Sequence, residues 1–427
     1  MSLLSKLLEN NRGSAPEAVT DKPESSNRLA KLRSAICEMT ETKTPPHQFF
    51  KHSPFCKNPL FGGLLMGSLL PLLLLLSGAS GLDVKYARNF EIAEFETHRL
   101  LTVRKAFRNS ETAYRYALVP RDEVLPKLPK AVQVIRTPVE RVVAMETVYI
   151  GHMEALDQID RIVAVATVNF INNAQVREGL EAGRIRAIQS GQALDIETIL
   201  VLQPDLIISS ISGDPSFDIP PKLRRTKLPF VLSAGYMERH PLARAEWIKF
   251  IGAFFEEDDR ADKIFQSVER RYLELTEHTA SVMTRPTVLC GAPYSGVWHV
   301  PGGKSFTAQA IKDAGGDYLW SDNDEQGGIP LDLERVFLRG AQADIWIHPS
   351  GYRSKSDLLS ADERFENFGP AQTGKVYNNT RQVSETGGNA IWESGVIHPD
   401  QVLADLIRIF HPELLPDHEF VYYEQLR

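Results

Sequence analysis

Two stretches of the chain share one order of polar and apolar positions. Residues 194–210, LDIETILVLQPDLIISS, and 331–347, LDLERVFLRGAQADIWI, each read as a polar cap, a short amphipathic helix, a break and an unbroken apolar run. In each, an aspartate (Asp195, Asp332) is placed to cap the helix. A glutamate two positions later (Glu197, Glu334) falls in the first turn, where negative charge complements the helix dipole.

The same grammar extends around both copies. From Val139 onward, ERVVAM, RIVAVA, DLIISS and FVLSA are short apolar runs of the kind buried in a parallel sheet, with helical stretches such as ETVYIGHMEALDQID between them. After Arg285-Pro286 a second series begins: PTVLCGA, DYLW, ADIWIHPS and GKVYNN, with SFTAQAIKDAG as its first helix. Between the series, apolar residues at Ala261, Ile264, Phe265, Val268, Tyr272, Leu275 and Val282 fall mostly three or four apart, with no Gly or Pro among them, and predict a stiff helix. Upstream, FEIAEFE, RLLTVRKAF and YRYALVP predict β-hairpins. The pattern as a whole predicts an α/β protein of two Rossmann-like lobes with parallel sheets, joined by one long helix, with a small β-rich N-terminal extension. The expected divisions are a leader over 1–79, the extension over 80–138, lobe one over 139–257, the linking helix over 258–284 and lobe two over 285–427.

The leader differs in kind. Residues 1–57 are polar without sustained period, and residues 58–82 carry no charge until Asp83. Lys51 and Lys57 stand before the apolar run, and Ser77-Gly78-Ala79 stand near its end. That order describes a secretory signal cut after Ala79, or an uncleaved anchor of nearly spanning length. Either reading places the body outside the cytoplasmic membrane, periplasmic or secreted. Ser80 stands where a lipoprotein would need its cysteine. Of Cys37, Cys56 and Cys290, a cut product retains only Cys290, which lies in an apolar run and reads as a core residue.

Composition narrows the chemistry. With 427 residues, 43% hydrophobic and 24% charged, the chain is ordinary globular material long enough for several lobes. Its net charge is -7, and beyond Ala79 the balance is 39 basic against 49 acidic side chains, so nothing draws it to nucleic acid or anionic lipid. GGKSF imitates the end of a phosphate-binding loop, but Trp298 stands where that loop requires a glycine. PYSGVW lacks the nucleophile elbow, and the histidines are scattered without metal-site spacing. Neither an enzyme nor a bound cofactor is expected.

The series RVVAMETVYIGHMEALDQIDRIVAVA, LDIETILVLQPDLIIS, PLARAEWIKFIGAFF, GGKSFTAQAIKDAGGDYLW and PLDLERVFLRGAQADIWI resembles the substrate-binding proteins of ABC importers for iron–siderophore complexes, haem and cobalamin, the class whose lobes are joined by a single helix. The resemblance runs from about Arg141 to Pro412, and segment 83–138 resembles an extension found in a subset of that family. It implies a monomeric clamp with limited hinge motion, docking on a permease dimer through Glu197 and Glu334. The ligand, a metal chelate such as a ferric siderophore, haem or cobalamin, is expected between the lobes, where the carboxyl ends of the strands converge. The loops there offer Tyr149, Asn172 and Tyr236 in lobe one, and Tyr294, Trp298, Trp392 and Glu393 in lobe two. For each aromatic ring a core role is the alternative reading. A second functional reading is a signalling or structural adaptor that keeps the clamp and has lost its ligand.

Overall fold

The computed structural model describes residues 83–427 except Asn109, Thr167, Gln192, residues 212–222 and Arg224; the leader, its apolar run and the expected cleavage point lie outside the described residues. Lobe one is a five-stranded sheet in the order Phe230–Leu232, Leu206–Ser209, Val142–Ala144, Ile162–Val165, Arg186–Ala187, parallel throughout. The fifth, two-residue strand was not among the four expected from the apolar runs. Lobe two runs Asp317–Tyr318, Thr287–Cys290, Ile345–Ile347, Val376–Asn378, Glu424–Gln425; the first four are parallel and the last is antiparallel.

The two sheets repeat each other in register. Leu206 pairs with Val142 and Phe230 with Ile207 in lobe one. Ile345 pairs with Val288 and Val376 with Trp346 in lobe two. Each of these central strands is buried almost throughout, as continuous apolar runs require when helices cover both faces. Asp195 and Asp332 cap their helices as the sequence predicts, accepting from the backbone N–H of Thr198 (2.9 Å) and Arg335 (2.7 Å). Ser305 does the same for the helix Phe306–Asp313, accepting from the N–H of Ala308 at 3.1 Å.

Lobe two departs from the expected loop after its first strand. Residues Pro293–Tyr294, Val297–Pro301 and Gly328–Leu331 form a separate antiparallel sheet. Val297, Trp298, His299 and Val300 alternate exposed and buried along it.

The extension holds a meander, Phe90–Glu94, Arg99–Val103 and Tyr114–Pro120. A fourth strand, Val132–Thr137, adds parallel to the third and was not read from the sequence. This sheet covers the outer edge of lobe one: the N–H of Leu232 donates to the Tyr116 hydroxyl at 2.9 Å, and the Gln133 amide donates to the carbonyl of Phe230 (2.9 Å) and accepts from its N–H (2.6 Å). Two buried carboxylates grip the strap before the first strand. Glu246 accepts from the N–H groups of Lys85, Tyr86 and Ala87, and Glu238 from those of Arg88 and Asn89. Five main-chain donors are thereby satisfied without a partner strand.

The connecting helix spans Asp258–Ala280, against the 258–284 expected. Its buried stripe serves both lobes: Ala261 and Phe265 belong to the core of lobe one, Val268 and Tyr272 to that of lobe two. On its flanks Glu269 bonds Lys85 and Tyr86 of the strap, Arg271 pairs with Asp400 at 2.7 Å, and the Tyr272 hydroxyl donates to Asp313 at 2.7 Å.

Candidate ligand cleft and partner helices

In lobe one the loop ends of the strands hold a hydrogen-bonded group rather than open side chains. Glu146 accepts from the Ser209 hydroxyl at 2.9 Å and the Ser210 N–H at 3.0 Å, and burial pushes its carboxyl up. Tyr149 is buried beside it, its hydroxyl facing Glu146, Ser210 and Ser233. The expectation that Tyr149 presents a ring to a ligand is therefore corrected: the ring fills the core of lobe one. Tyr236 is half-buried and donates from its hydroxyl to the carbonyl of Ile211 at 2.6 Å.

In lobe two Trp298 is also corrected. It is 0% exposed, its indole N–H donates to the carbonyl of Cys290 at 3.0 Å, and its ring lies 5.6 Å from that of Trp346 and 5.9 Å from those of Phe365 and Phe368. The short antiparallel strand turns it down onto the sheet, so it contributes apolar packing. Tyr294, four residues before it, stays half-buried on the partner strand.

Asn172 and Glu393 are brought together across the lobes, and they bind each other's segments. The Glu393 carboxylate, 2% exposed, accepts from the N–H of Asn172 (2.5 Å) and of Asn173 (3.0 Å). The Asn172 side chain donates to the carbonyls of Gln382 (3.0 Å) and Gly388 (3.1 Å). Gly151, on the helix Thr147–Ala155, meets the backbone of Glu393 so closely that a Cβ there would lie 2.5 Å from its carbonyl. Burial raises the Glu393 carboxyl to about 7 against the pull of those two N–H groups; Glu154 adds to the rise and Arg177 opposes it. These residues form an inter-lobe latch, which replaces the expectation that Asn172 and Glu393 line open space.

Trp392 does line a pocket, a cavity of about 60 Å³ where the helix Pro241–Ala245 meets the carboxyl ends of the second sheet. Arg244, Phe306, His348 and Tyr423 share that wall. The Arg244 guanidinium lies 4.0 Å over the Phe306 ring, and burial lowers its pKa to about 10. Behind the pocket a neutral chain runs from the Cys290 thiol (3.5 Å to His348 Nδ1) through His348 to the Tyr423 hydroxyl. Burial pushes the thiol up to about 12, the imidazole down to about 4 and the phenol up. A thiol held protonated is a poor nucleophile. His348 sits at a φ of 54°, a strained backbone for a residue with a side chain. Among the described residues, no three His, Cys, Asp or Glu side chains gather as a metal site.

The sequence reading missed Arg244, Phe306, His348 and Tyr423. Tyr423 is set by Asp405, which is fully buried and accepts from the N–H groups of Val421, Tyr422 and Tyr423 and from His418. The available signal was an aspartate inside the apolar run VLADLIRIF.

On the outside, Glu197 and Glu334 are both exposed, each one residue into a helix that leads to the strand beside the first of its sheet. Helices between parallel strands begin at the strands' carboxyl ends, so both acids stand on the side of their sheet where the loops gather.

The profile of the periplasmic binding protein family matches residues 142–382, more than half of the chain and parts of both lobes. The chain belongs to the periplasmic binding protein family. An uncharacterized lipoprotein of Methanocaldococcus jannaschii is 26% identical over 318 residues, covering 71% of this chain and 73% of the relative. The Helicobacter pylori protein CeuE, crystallised with Ni(II) bound, is 17% identical with a TM-score of 0.52, covering 67% of this chain and 88% of that one. A possible iron-binding, periplasmic solute-binding protein of Staphylococcus epidermidis is 14% identical with a TM-score of 0.50, covering 64% and 99%. At these identities the two structures speak for the fold alone. Family and fold are those of binding proteins, not of enzymes. Among the described residues, no helix of this family member is long and apolar enough to cross a membrane.

Proposed function

We propose that this protein is an extracytoplasmic solute receptor of an ABC importer, which captures a chelated metal, most favourably a ferric siderophore, between its lobes. It acts as a monomer and delivers the chelate to a permease dimer through Glu197 and Glu334; apart from the cargo it needs no cofactor. The observation that carries the ligand reading is the pocket wall of Arg244, Phe306, Trp392 and Tyr423. Aromatic area beside a desolvated cation suits an anionic chelate that carries its own aromatic rings, as a ferric catecholate does. The names of the Helicobacter and Staphylococcus proteins, one with Ni(II) and one called possibly iron-binding, support a metal cargo. The cavity of about 60 Å³ is far below the roughly 300–1,000 Å³ of small-molecule sites, so a siderophore enters only if the lobes part and the Glu393 bonds break.

Titration of the full chain with ferric siderophores, haem and cobalamin, followed by tryptophan fluorescence, tests this reading. Trp392→Ala should weaken binding by about 2 kcal/mol if the ring is a buried anchor. The adaptor reading is favoured by one observation, the mutual saturation of Asn172 and Glu393 across the cleft. Fluorescence unmoved by every chelate would put the adaptor ahead.

A further inference from the structure

The two partner helices match beyond their glutamates. Aligned on Glu197 and Glu334, Ile196–Leu202 and Leu333–Gly340 agree in exposure at the glutamate and at the second, third and fourth positions after it, and differ at Thr198/Arg335 and Leu202/Arg339, where lobe two is the more exposed. Ile199 and Val336 are both 0% exposed and fix each helix on its sheet. The next two positions are exposed: Leu200 (46%) and Val201 (83%) on lobe one, Phe337 (37%), whose ring meets that of buried Phe368 edge-on at 5.4 Å, and Leu338 (86%) on lobe two. One exposed leucine needs no explanation, but a glutamate followed at the third and fourth positions by two exposed apolar side chains, on equivalent helices of two lobes, is a repeated surface. Three and four residues on, these side chains stand one turn along the helix from the acid.

We infer that Leu200–Val201 and Phe337–Leu338 are the apolar half of a bipartite docking surface, fitting a two-fold membrane partner that offers an arginine next to an apolar patch on each half. The inference rests on the permease reading above and adds its source of affinity. The glutamates select a basic partner and speed encounter, while the apolar pairs supply the area removed from water. Duplication of the surface calls for a partner that presents its own surface twice. On lobe one the exposed Glu197 carboxylate beside the pair repels anionic headgroups, whereas on lobe two Arg335 and Arg339, paired with Asp332 and Asp322, offset Glu334, so a protein partner rather than a lipid bilayer is the occupant that both patches share.

The test uses the full chain in the membranes of the cells that make it. A photo-crosslinking amino acid is placed at position 201 and, separately, at 338, and Val201→Ser and Leu338→Ser are compared with Glu197→Arg and Glu334→Arg. Both positions should capture one and the same polytopic permease subunit, identified by mass spectrometry. Each serine variant should weaken membrane association roughly tenfold, as expected for one aliphatic side chain withdrawn from a buried contact. Chelate affinity should stay unchanged. Capture of lipid alone, or of a second copy of this chain, overturns the inference. If the arginine variants abolish association while the serine variants leave it intact, the apolar inference falls and docking through the glutamates stands. If neither position captures a permease and the arginine variants change nothing, the docking reading itself falls.

Discussion

The outer edges of the two sheets face the same problem and solve it differently. Phe230–Leu232 in lobe one and Val376–Asn378 in lobe two are equivalent strands, and each leaves one side without a parallel neighbour. An uncovered edge is an invitation to pair with another chain. Lobe two meets it with main chain, the antiparallel strand Glu424–Gln425. Lobe one meets it with side chains of the extension, Tyr116 and Gln133. Duplication therefore repeats the core and leaves its boundary to segments outside the repeat, each with its own anchoring carboxylates: Asp405 behind the C-terminal cover, Glu246 and Glu238 in front of the N-terminal one.

The largest way to break this comparison is Asp405→Ala, which strands three backbone N–H groups and should cost on the order of 4 kcal/mol in urea unfolding. A loss below about 1 kcal/mol would mean that the strand pairing alone holds the tail. Glu246→Ala should cost about 3 kcal/mol by the same mechanism and open residues 83–89 to limited proteolysis, with lobe two unaffected. Equal cleavage of both proteins would detach the strap from the cover.

The contact between the lobes can be separated from both covers by pH. Burial lifts Glu393 to about 7 in the folded chain, above its ordinary value near 4.3. The folded state thus holds a proton that the unfolded chain releases, so this contribution is full below pH of about 4.3 and is lost as pH rises through about 7. Stability should fall by about 3–4 kcal/mol across that window, and Glu393→Gln should flatten the profile. An unchanged profile in the variant would assign the pH dependence to another group. The smallest effect is expected from Gln133→Ala, about 1 kcal/mol, read as a slight loss of stability with a greater tendency to self-associate on heating.

The sequence made the repeated core readable because period and burial agree there: short apolar runs with capped helices between them can be little else than parallel strands under helices. Val142 and Val288 could be matched by eye, and the register places them alike. The site was less legible for a physical reason. Tyr149 and Trp298 follow strands and therefore read as loop residues, whereas their exposure depends on what folds back over them. For Trp298 a signal was present, the alternation of Val297, Trp298, His299 and Val300, which marks a half-buried strand. For Glu393 none was, because its donors lie more than two hundred residues away in the chain. Arg244 and Tyr423 escaped notice for the same reason, being set against the pocket by long-range packing.

The connecting helix carries one mechanical consequence. Its apolar stripe enters both cores, and Glu269, Arg271 and Tyr272 fasten its midpoint to the strap on one flank and to lobe two on the other. A rod pinned in this way resists bending and yields more readily to torsion. Any parting of the jaws must then twist this helix or break the bonds that fasten it to the strap and to lobe two.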